Sequence, residues 1–353
     1  MQIKRHKTRV VKIGNISIGG ANAVAIQSMT KAKTADIDSC VRQIKELGSL
    51  GCDIVRLAIK DSFDAHALKK IKPKVNIPIV ADIHFNWRLA IQAIESGADK
   101  IRLNPGNIYK KEEIREVVSA LKSAGIPLRI GLNSGSVKGL GTKLSVPDRL
   151  VKSAKDYIKI IEGFKFYNTV ISLKASTILD TVEAYRKISK LYDYPLHLGV
   201  TATGSPYKGV IKSSIAVGSL LLDGIGDTIR ISLTARPQEE VIAAKNILES
   251  LELRHFGPEI ISCPTCGRCE VDLVRIVKDL ENKLSTMPYE PSTRHIKLAV
   301  MGCTVNGPGE AAQADIGVAF GKKEGLLFKK GKAKRKVPYS QCSAVLLREM
   351  ENM

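Results

Sequence analysis

From about residue 20 to about residue 235, short apolar runs alternate with amphipathic segments. The apolar runs are Ala23–Gln27, Ile54–Leu57, Pro78–Ala81, Lys100–Leu103, Leu128–Leu132, Val170–Leu173, Leu196–Val200 and Thr228–Ile231. Runs this rich in Val, Ile and Leu are typical of parallel strands that are covered on both faces. Helical spacing marks the segments between them, such as Cys40–Leu47, Arg88–Ser96, Lys111–Ser123 and Asp180–Leu191. Eight such units predict an α/β fold, a TIM (β/α)8 barrel. A doubly wound sheet would also alternate, but no GxGxxG follows the first run.

Two further segments flank this repeat. Arg9–Ile13 and Ile16–Ile18 lie on either side of Gly14-Asn15, which predicts a hairpin that plugs the bottom of the barrel. After residue 250 the rhythm changes to a CPTC turn, a helix over Glu270 to Lys283, a strand over Lys297–Met301 and a Gly/Pro-rich loop. These features predict a small α+β module. We therefore expect two domains, over residues 1–255 and 256–353.

Composition limits the broad class of protein. Of 353 residues, 44% are hydrophobic and 25% are charged, which is ordinary for a globular protein. The charged start Met1–Lys7 argues against a signal peptide, and no apolar run is long enough to span a bilayer. Several of the seven cysteines have the spacing of metal ligands, which indicates a reducing, cytoplasmic location. Cys40 and Cys52 are interpreted as bystanders.

The net charge of +20 favours an anionic partner. The densest run, Lys329–Lys336, is interpreted as a solvated surface loop. Recognition of RNA would call for aromatic residues beside the cations, and the chain is only 5% aromatic. Nucleic acid is therefore an unlikely partner, although the run leaves an RNA-binding protein open as an alternative class.

Polar residues follow the predicted strands at the ends where a barrel builds its active site. They are Gln27, Ser28, Arg56, Asp82, His84, Arg102, Asn104, Arg129, Asn133, Lys174, Thr201, Arg230 and Ser232. Four arginines and a lysine converge there with a single obvious acid. Guanidinium groups match phosphate oxygens in pairs, and lysine adds a point charge. The set predicts a small substrate that bears more than one phosphate group.

Three cysteines and a glutamate in the second domain have the character of metal ligands. Cys263 and Cys266 share a CxxC turn, and Cys303 lies in CTVNGPGE with Glu310 seven residues later. Thiolates select zinc or iron–sulfur clusters, whereas a carboxylate is a weaker and more exchangeable ligand on iron. An iron held by Glu310 could open to substrate, which indicates redox chemistry at a cluster. A structural zinc site is the alternative, although glutamate is a rare ligand there.

Several segments in order resemble one family. They are CPTC, CTVNGPGE, Arg102–Ile108, Gly131–Ser136, HLGVT within Leu196–Thr201, and Gly224–Leu233. The chain resembles the 4-hydroxy-3-methylbut-2-enyl diphosphate synthases, iron–sulfur enzymes of the non-mevalonate isoprenoid route, from about Arg9 to Gly317. The resemblance implies a substrate-binding barrel and a cluster domain that caps the barrel of the other chain in a homodimer.

The resemblance also implies a chemistry. A [4Fe–4S] cluster on Cys263, Cys266, Cys303 and Glu310 would pass two electrons from flavodoxin or ferredoxin to 2-C-methyl-D-erythritol 2,4-cyclodiphosphate. The ring opens and a hydroxyl leaves as water. Glu310, Asp82 and His84 would be catalytic. The residues implied to bind the substrate are Arg56, Arg102, Asn104, Arg129, Asn133, Lys174, Arg230 and Ser232.

The sequence departs from the family pattern at two positions. Thr201-Ala202-Thr203 stands where the family has Thr-Glu-Ala, so a general acid is missing at this position. Either His84, Thr201 or a bound water replaces it, or the activity is lowered. Cys269 extends the CxxC turn and is interpreted as a bystander thiol, with ferredoxin-like ligation as the alternative.

Overall fold

The computed structural model describes residues 3–137, 143–201, 203–286 and 295–353. The chain divides into two compact units, Met1–Arg254 and His255–Met353. Among the described residues, no helix is both long enough and apolar enough to cross a membrane.

The first unit is a parallel barrel. Its strands within the described residues are β3 (Ala25–Met29), β4 (Ile54–Ile59), β5 (Ile79–Ile83), β6 (Lys100–Leu103), β7 (Leu128–Asn133), β8 (Thr169–Lys174), β9 (His197–Leu198) and β10 (Thr228–Ile229). They pair in the order β8-β7-β6-β5-β4-β3-β10-β9. A parallel bridge between Ile171 and Leu196 joins the two ends of this sheet. The predicted TIM barrel is therefore confirmed.

Helices follow the strands and cover the outside of the barrel. They are α1 (Ile37–Ser49), α2 (Ser62–Ile71), α3 (Trp87–Glu95), α4 (Lys111–Ala124), α5 (Val146–Gly163), α6 (Ile178–Ser189), α7 (Pro206–Leu222) and α8 (Pro237–Ser250). Short polar residues start several of them: the side chains of Asp36, Asp61, Ser145 and Thr177 each accept a hydrogen bond from the backbone of the first turn. Each such cap contributes about 1 kcal/mol to helix stability.

A hairpin of β1 (Val11–Ile13) and β2 (Ile16–Ile18) precedes the barrel. Val11, Ile13 and Ile18 are buried in one apolar cluster with Ala25, Ile54, Val80 and Val170. Those four residues lie at or near the first positions of β3, β4, β5 and β8. The hairpin therefore closes the N-terminal end of the barrel, as predicted.

The second unit is an α+β module. Its strands are β11 (Glu259–Ser262), β12 (Lys297–Met301), β13 (Ile316–Phe320), β14 (Glu324–Lys329) and β15 (Lys332–Pro338), and they pair in sequence order. The pairs of β11 with β12 and of β12 with β13 are parallel, and the last two pairs are antiparallel. Its helices are α9 (Leu273–Thr286), α10 (Gly307–Gln313) and α11 (Cys342–Glu351). Residues of α9 and α11 share one apolar cluster with the sheet, whereas Ala311 of α10 lies in another.

Two segments that were predicted to be loops are regular structure. Glu310 lies in the first turn of α10, because Pro308 sits at the start of the helix, where its fixed φ is compatible with helical geometry. The basic run is exposed as expected, but its residues Lys332–Lys336 belong to β15, which pairs with β14. The loop interpretation was wrong in both places, because β15 is stabilised by hairpin pairing with β14, and α10 packs through Ala311 against the sheet.

Candidate functional site

The barrel strands bring the predicted cations together. Arg102 is 5% exposed, Arg129 1% and Lys174 6%, so all three lie inside the barrel. Burial lowers the pKa of Lys174 well below its usual value, and the positive charges of Arg230, Arg56, Arg129 and Arg102 lower it further. The four predicted arginines therefore all lie within electrostatic reach of the Lys174 ammonium group. The interior is therefore built to receive negative charge.

Asp82 on β5 is the carboxylate at the centre of this set. Its Oδ1 accepts a hydrogen bond of 3.0 Å from Nη1 of Arg102, and its Oδ2 lies 3.5 Å from Nε of Arg56. Burial favours the neutral acid, but the guanidinium groups of Arg56, Arg102 and Arg129 outweigh it and hold the pKa of Asp82 at about 2. Asp82 is thus ionised at neutral pH and fixes the arginines in place.

A second acid, Glu240, was missed in the sequence. It is 2% exposed, and its carboxylate lies 3.2 Å from Nη2 of Arg230 and 3.4 Å from Nζ of Lys31. It also accepts hydrogen bonds from Ser28 Oγ and the backbone N–H of Leu233. The expectation of a single acid was wrong, because Glu240 belongs to the first turn of α8 and not to a strand end. The pair Glu239-Glu240, which follows Pro237-Gln238 at the start of a helix, was the available signal.

The guanidinium of Arg102 is held by a close backbone approach. Its Nη2 donates to the carbonyl of Gly131 at 2.7 Å. A Cβ at residue 131 would come within 2.5 Å of Nε of Arg102, so only glycine leaves room for this side chain. Gly131, the first residue of the GLNSGS segment, therefore makes room for the Arg102 side chain on the neighbouring strand β6.

Arg129 lies deeper than predicted. It is the second residue of β7 and not the residue at its carboxyl end. Its Nε and Nη1, and Nε of Arg230, are buried without a hydrogen-bond partner among the described residues. Buried donors left unpaired are costly, which favours an anionic ligand that accepts from them.

The remaining predicted residues lie at the carboxyl ends of the strands or on the loops that follow them. His84 follows β5, and its half-exposed side chain has Nε2 at 3.8 Å from Asp82 Oδ2. Asn104 is 4% exposed, and its Oδ1 accepts from the backbone of Gly106 and from Ser136 Oγ. Ser136 Oγ also donates to the carbonyl of Asn133 at 2.8 Å, so it joins two predicted binding loops. Ser232 Oγ accepts from Arg230 at 2.5 Å. Ala202 lies outside the described residues.

In the second unit, a cavity of about 180 Å³ contains all four predicted ligands on its lining: Cys263, Cys266, Cys303 and Glu310. Cys263 follows β11, Cys303 follows β12, and Glu310 comes from α10. Side chains from three elements thus face one space. Four ligands that grip one zinc ion approach it within about 2.0–2.3 Å and leave no such space. The cavity has room for a polynuclear iron–sulfur group. Among the described residues, no three His, Cys, Asp or Glu side chains already converge closely enough to hold a single metal ion.

The local backbone favours thiolates in this cavity. Hydrogen bonds from the backbone N–H groups of Val305 and Asn306 lower the pKa of Cys303. A backbone hydrogen bond from Arg268, and then its side chain, lower the pKa of Cys266. The backbone N–H of Gly302 donates to Cys263 Sγ at 3.3 Å. Metal binding requires deprotonated cysteine, so these contacts prepare the ligands.

Cys269 is oriented differently from the other cysteines of this turn. Its Sγ donates to the carbonyl of Val271 at 3.2 Å, and its side chain packs against the apolar cluster of α9 and α11. Among the described residues it does not line the cavity. A Cβ at Gly302 would collide with the Cys269 thiol, so the glycine and the thiol share one packed space. This packing supports the interpretation of Cys269 as a bystander.

With both sites described, the chain can be compared with known proteins. The GcpE TIM-barrel domain matches residues 8–245, and the GcpE protein C-terminal domain matches residues 259–352. The chain belongs to the GcpE family. A relative in Clostridium perfringens, 4-hydroxy-3-methylbut-2-en-1-yl diphosphate synthase (flavodoxin), is 51% identical over 99% of this chain and all of that protein. The protein of the same name in Fusobacterium nucleatum is 51% identical over 98% of this chain and 96% of its own length.

Solved structures of other proteins share the barrel architecture of the first unit. A dihydropteroate synthase from Xanthomonas albilineans aligns with a TM-score of 0.51 at 10% identity, and covers 70% of this chain and 99% of its own. At that identity the likeness concerns the architecture alone. The resemblance seen in the sequence is confirmed by the two GcpE domains and by the full-length relatives.

Proposed function

We propose that this GcpE-family chain is a 4-hydroxy-3-methylbut-2-en-1-yl diphosphate synthase. The convergence of Arg56, Arg102, Arg129, Lys174 and Arg230 on one buried pocket carries this proposal. The substrate is 2-C-methyl-D-erythritol 2,4-cyclodiphosphate. Its reduction takes two electrons, breaks a ring C–O bond to phosphate, and releases a protonated hydroxyl as water.

The barrel residues bind and orient the two phosphate groups. Guanidinium groups whose Nε atoms are buried and unpaired gain acceptors when the diphosphate enters. Asp82 and Glu240 keep these cations at fixed positions, so little reorganisation accompanies the growth of negative charge on the departing phosphate oxygen. Asn104, Asn133 and Ser232 complete the polar lining.

Asp82 is assigned a positioning role and not that of a proton donor. A carboxyl group with a pKa of about 2 carries no proton at neutral pH. The family glutamate is replaced at residue 202 by alanine. His84, next to Asp82 and half exposed, is the side chain we assign to proton delivery, since an imidazole positioned at the mouth of the site can act as a general acid.

The cofactor assigned to the second unit is a [4Fe–4S] cluster held by Cys263, Cys266, Cys303 and Glu310. GcpE-family enzymes use an iron–sulfur cluster, and the shared cavity supports these four ligands. When bound, it supplies the two electrons, and the carboxylate of Glu310 leaves one iron exchangeable. Backbone contacts lower the pKa values of Cys266 and Cys303, which favours the thiolate form that binds metal.

The partners follow from the relatives' name and the family resemblance. Flavodoxin, or ferredoxin in its place, supplies the electrons. A homodimer is proposed in which the second unit of one chain caps the barrel of the other and excludes water. The cytoplasm, where thiolate ligands stay reduced, is the assigned location.

The test is an anaerobic assay of the reconstituted full-length protein with the cyclodiphosphate and dithionite, a small chemical reductant. Brown protein that absorbs near 400 nm and releases the open-chain diphosphate is expected. Colourless protein that retains zinc, or a brown protein that leaves the cyclodiphosphate intact, would contradict the proposal. Binding of RNA in place of turnover would support the alternative class.

A further inference from the structure

The hairpin of β14 and β15 carries most of the unexplained positive charge of the second unit. Between residues 322 and 336 it has one acid, Glu324, and eight cations: Lys322, Lys323, Lys329, Lys330, Lys332, Lys334, Arg335 and Lys336. Of these, Lys329 is half buried and the others are exposed. We call this segment the basic hairpin. Its charge has no part in the barrel site or in cluster ligation.

Only part of that charge is neutralised within the unit. Lys336 pairs with Glu324 at 2.6 Å, and Glu349 on α11 pairs with Lys329 at 2.9 Å and Arg335 at 3.7 Å. The other five lysines have no acidic partner within 4 Å among the described residues: Lys322, Lys323, Lys330, Lys332 and Lys334. Unpaired lysines at such density repel one another, and an acidic partner relieves that repulsion.

The basic hairpin is also an open edge. β15 is the last strand of the five-stranded sheet, and five of its seven residues form an exposed stretch, Lys332–Lys336. Such an edge presents backbone donors and acceptors beside its charges. The edge lysines discourage pairing with another apolar strand, but they leave the surface accessible to a partner of opposite charge.

The turn of the basic hairpin lies next to the helix that carries Glu310. The Cβ position of Gly331 is 3.6 Å from the carbonyl oxygen of Ala312, two residues after Glu310 on α10. With a rise of about 1.5 Å per helical residue, the turn lies within roughly 10–15 Å of the Glu310 backbone. Phe328, at the base of the turn, and Ala311 belong to one apolar cluster, and Cys263 packs against that cluster. The basic turn and the cavity of the four ligands are thus neighbours through one packed layer.

We propose that the basic hairpin is the docking surface for the acidic protein that donates electrons. This inference rests on the proposed function and locates one of its partners. The donor is oxidised, and its electrons pass to the group held in the adjacent cavity, two for each substrate reduced. Charge on a docking surface raises the rate of productive encounter and fixes orientation.

An acidic protein fits this surface better than a nucleic acid. Single-stranded RNA binds through stacking on exposed aromatic rings between the cations. The aromatic residue within the basic hairpin, Phe328, is 7% exposed and belongs to the core. The surface therefore offers positive charge and backbone edges without stacking platforms.

The experiment compares two triple variants of the full-length holoenzyme. Lys330→Glu, Lys332→Glu and Lys334→Glu reverse the unpaired charge of the basic hairpin. Lys69→Glu, Lys70→Glu and Lys152→Glu make the same charge change on exposed positions of α2 and α5 in the barrel unit. Turnover is measured with a purified bacterial flavodoxin as donor at low and high salt, and separately with dithionite.

In the hairpin variant, the KM for flavodoxin is expected to rise by about 10-fold or more at low salt, with a weaker salt dependence than wild type. Dithionite-driven turnover stays at the wild-type rate, because a small reductant needs no docking surface. An unchanged KM in the hairpin variant, or an equal rise in the barrel control, overturns the inference. So does loss of RNA binding by the hairpin variant with an unchanged KM for flavodoxin. Absence of dithionite-driven turnover in the wild type would instead refute the proposed function.

Discussion

Lys174 illustrates how a single residue depends on its surroundings. Burial and neighbouring guanidinium groups lower the pKa of this lysine well below its usual value. A bound diphosphate introduces negative charge, which favours the protonated ammonium. Ligand binding should therefore take up a proton at pH values between the depressed pKa of the free protein and the higher pKa of the complex, and binding should weaken as pH rises through this window.

Calorimetric titration of the cyclodiphosphate in two buffers of unequal ionisation enthalpy measures this proton uptake. The variant Lys174→Met should lose it and bind about 30-fold or more weakly, since a buried charged contact contributes about 2–5 kcal/mol. Unchanged proton uptake in the variant would contradict the assignment.

The same variant has an opposite effect on the stability of the free protein. The unfolded lysine binds a proton that the folded one releases, so Lys174 disfavours folding below its unfolded pKa of about 10.4, and stability rises as pH increases toward that value. Lys174→Met removes this penalty. We expect its urea midpoint at neutral pH to equal or exceed that of the wild type.

Ala202 is the residue at which the family resemblance predicts a glutamate and this chain has alanine. If His84 delivers the proton, His84→Gln should lower kcat by about 100-fold, the lower range of general acid catalysis. Adding Ala202→Glu to that variant should restore part of the loss, because a carboxylic acid returns to the family position. Ala202→Glu alone should change turnover little.

Steady-state kinetics with dithionite as the reductant checks these three variants. A large gain in Ala202→Glu alone would show that the natural site lacks its acid and that His84 does not replace it. Wild-type turnover in His84→Gln would exclude proton delivery by His84.

At the scale of elements, the β1–β2 hairpin is an apolar segment that closes the N-terminal end of the barrel. Ile18 is fully buried in the cluster that closes the barrel floor. Ile18→Ala should lower the free energy of unfolding by about 2–5 kcal/mol, the usual cost of a large buried aliphatic residue. Ile242→Ala, at a position that is 47% exposed on α8, serves as the control and should cost about 0.5 kcal/mol or less.

Urea denaturation followed by circular dichroism measures both variants. Equal costs in the two positions would mean that the hairpin is peripheral to the barrel. A large loss confined to Ile18→Ala would show that the hairpin is part of the cooperative core.

Elements also explain where the sequence interpretation failed. The apolar pattern identifies Arg129 and Arg56 as members of β7 and β4. It does not show how far each residue lies from the carboxyl end of its strand. Glu240 was missed because it reaches Arg230 from a helix ten residues later. A long side chain on one element can form an ion pair with a residue of another element. The local pattern of apolar and polar residues does not show which residues will pair in this way.

For the whole molecule, the proposed dimer predicts that two inactive variants regain activity when they form a heterodimer. Lys174→Met disables the barrel site, and Cys303→Ala disables the cluster ligands; each variant alone should be inactive. Co-expression should restore activity, because an intact second unit of one chain would cap the intact barrel of the other. Each heterodimer then has one intact site of two, so purified heterodimers should give about one half of wild-type turnover.

The measurement is turnover of tagged, co-purified heterodimers with dithionite, compared with a mixture of the separately purified variants. No recovery in the heterodimer would show that each chain uses its own second unit. Recovery in the unmixed variants would mean that one of them had not been disabled.

The sequence alone determined the repeat of eight strands, the change of rhythm near residue 255, and the types of ligand and cation in each part. These follow from local periodicity and residue chemistry, which are properties of neighbouring positions in the chain. It did not determine that Glu310 lies on a helix, that the basic run forms an edge strand, or that Glu240 completes the cation pocket. Those outcomes depend on contacts between elements, because burial, strand pairing and charge compensation are decided only when the elements pack together.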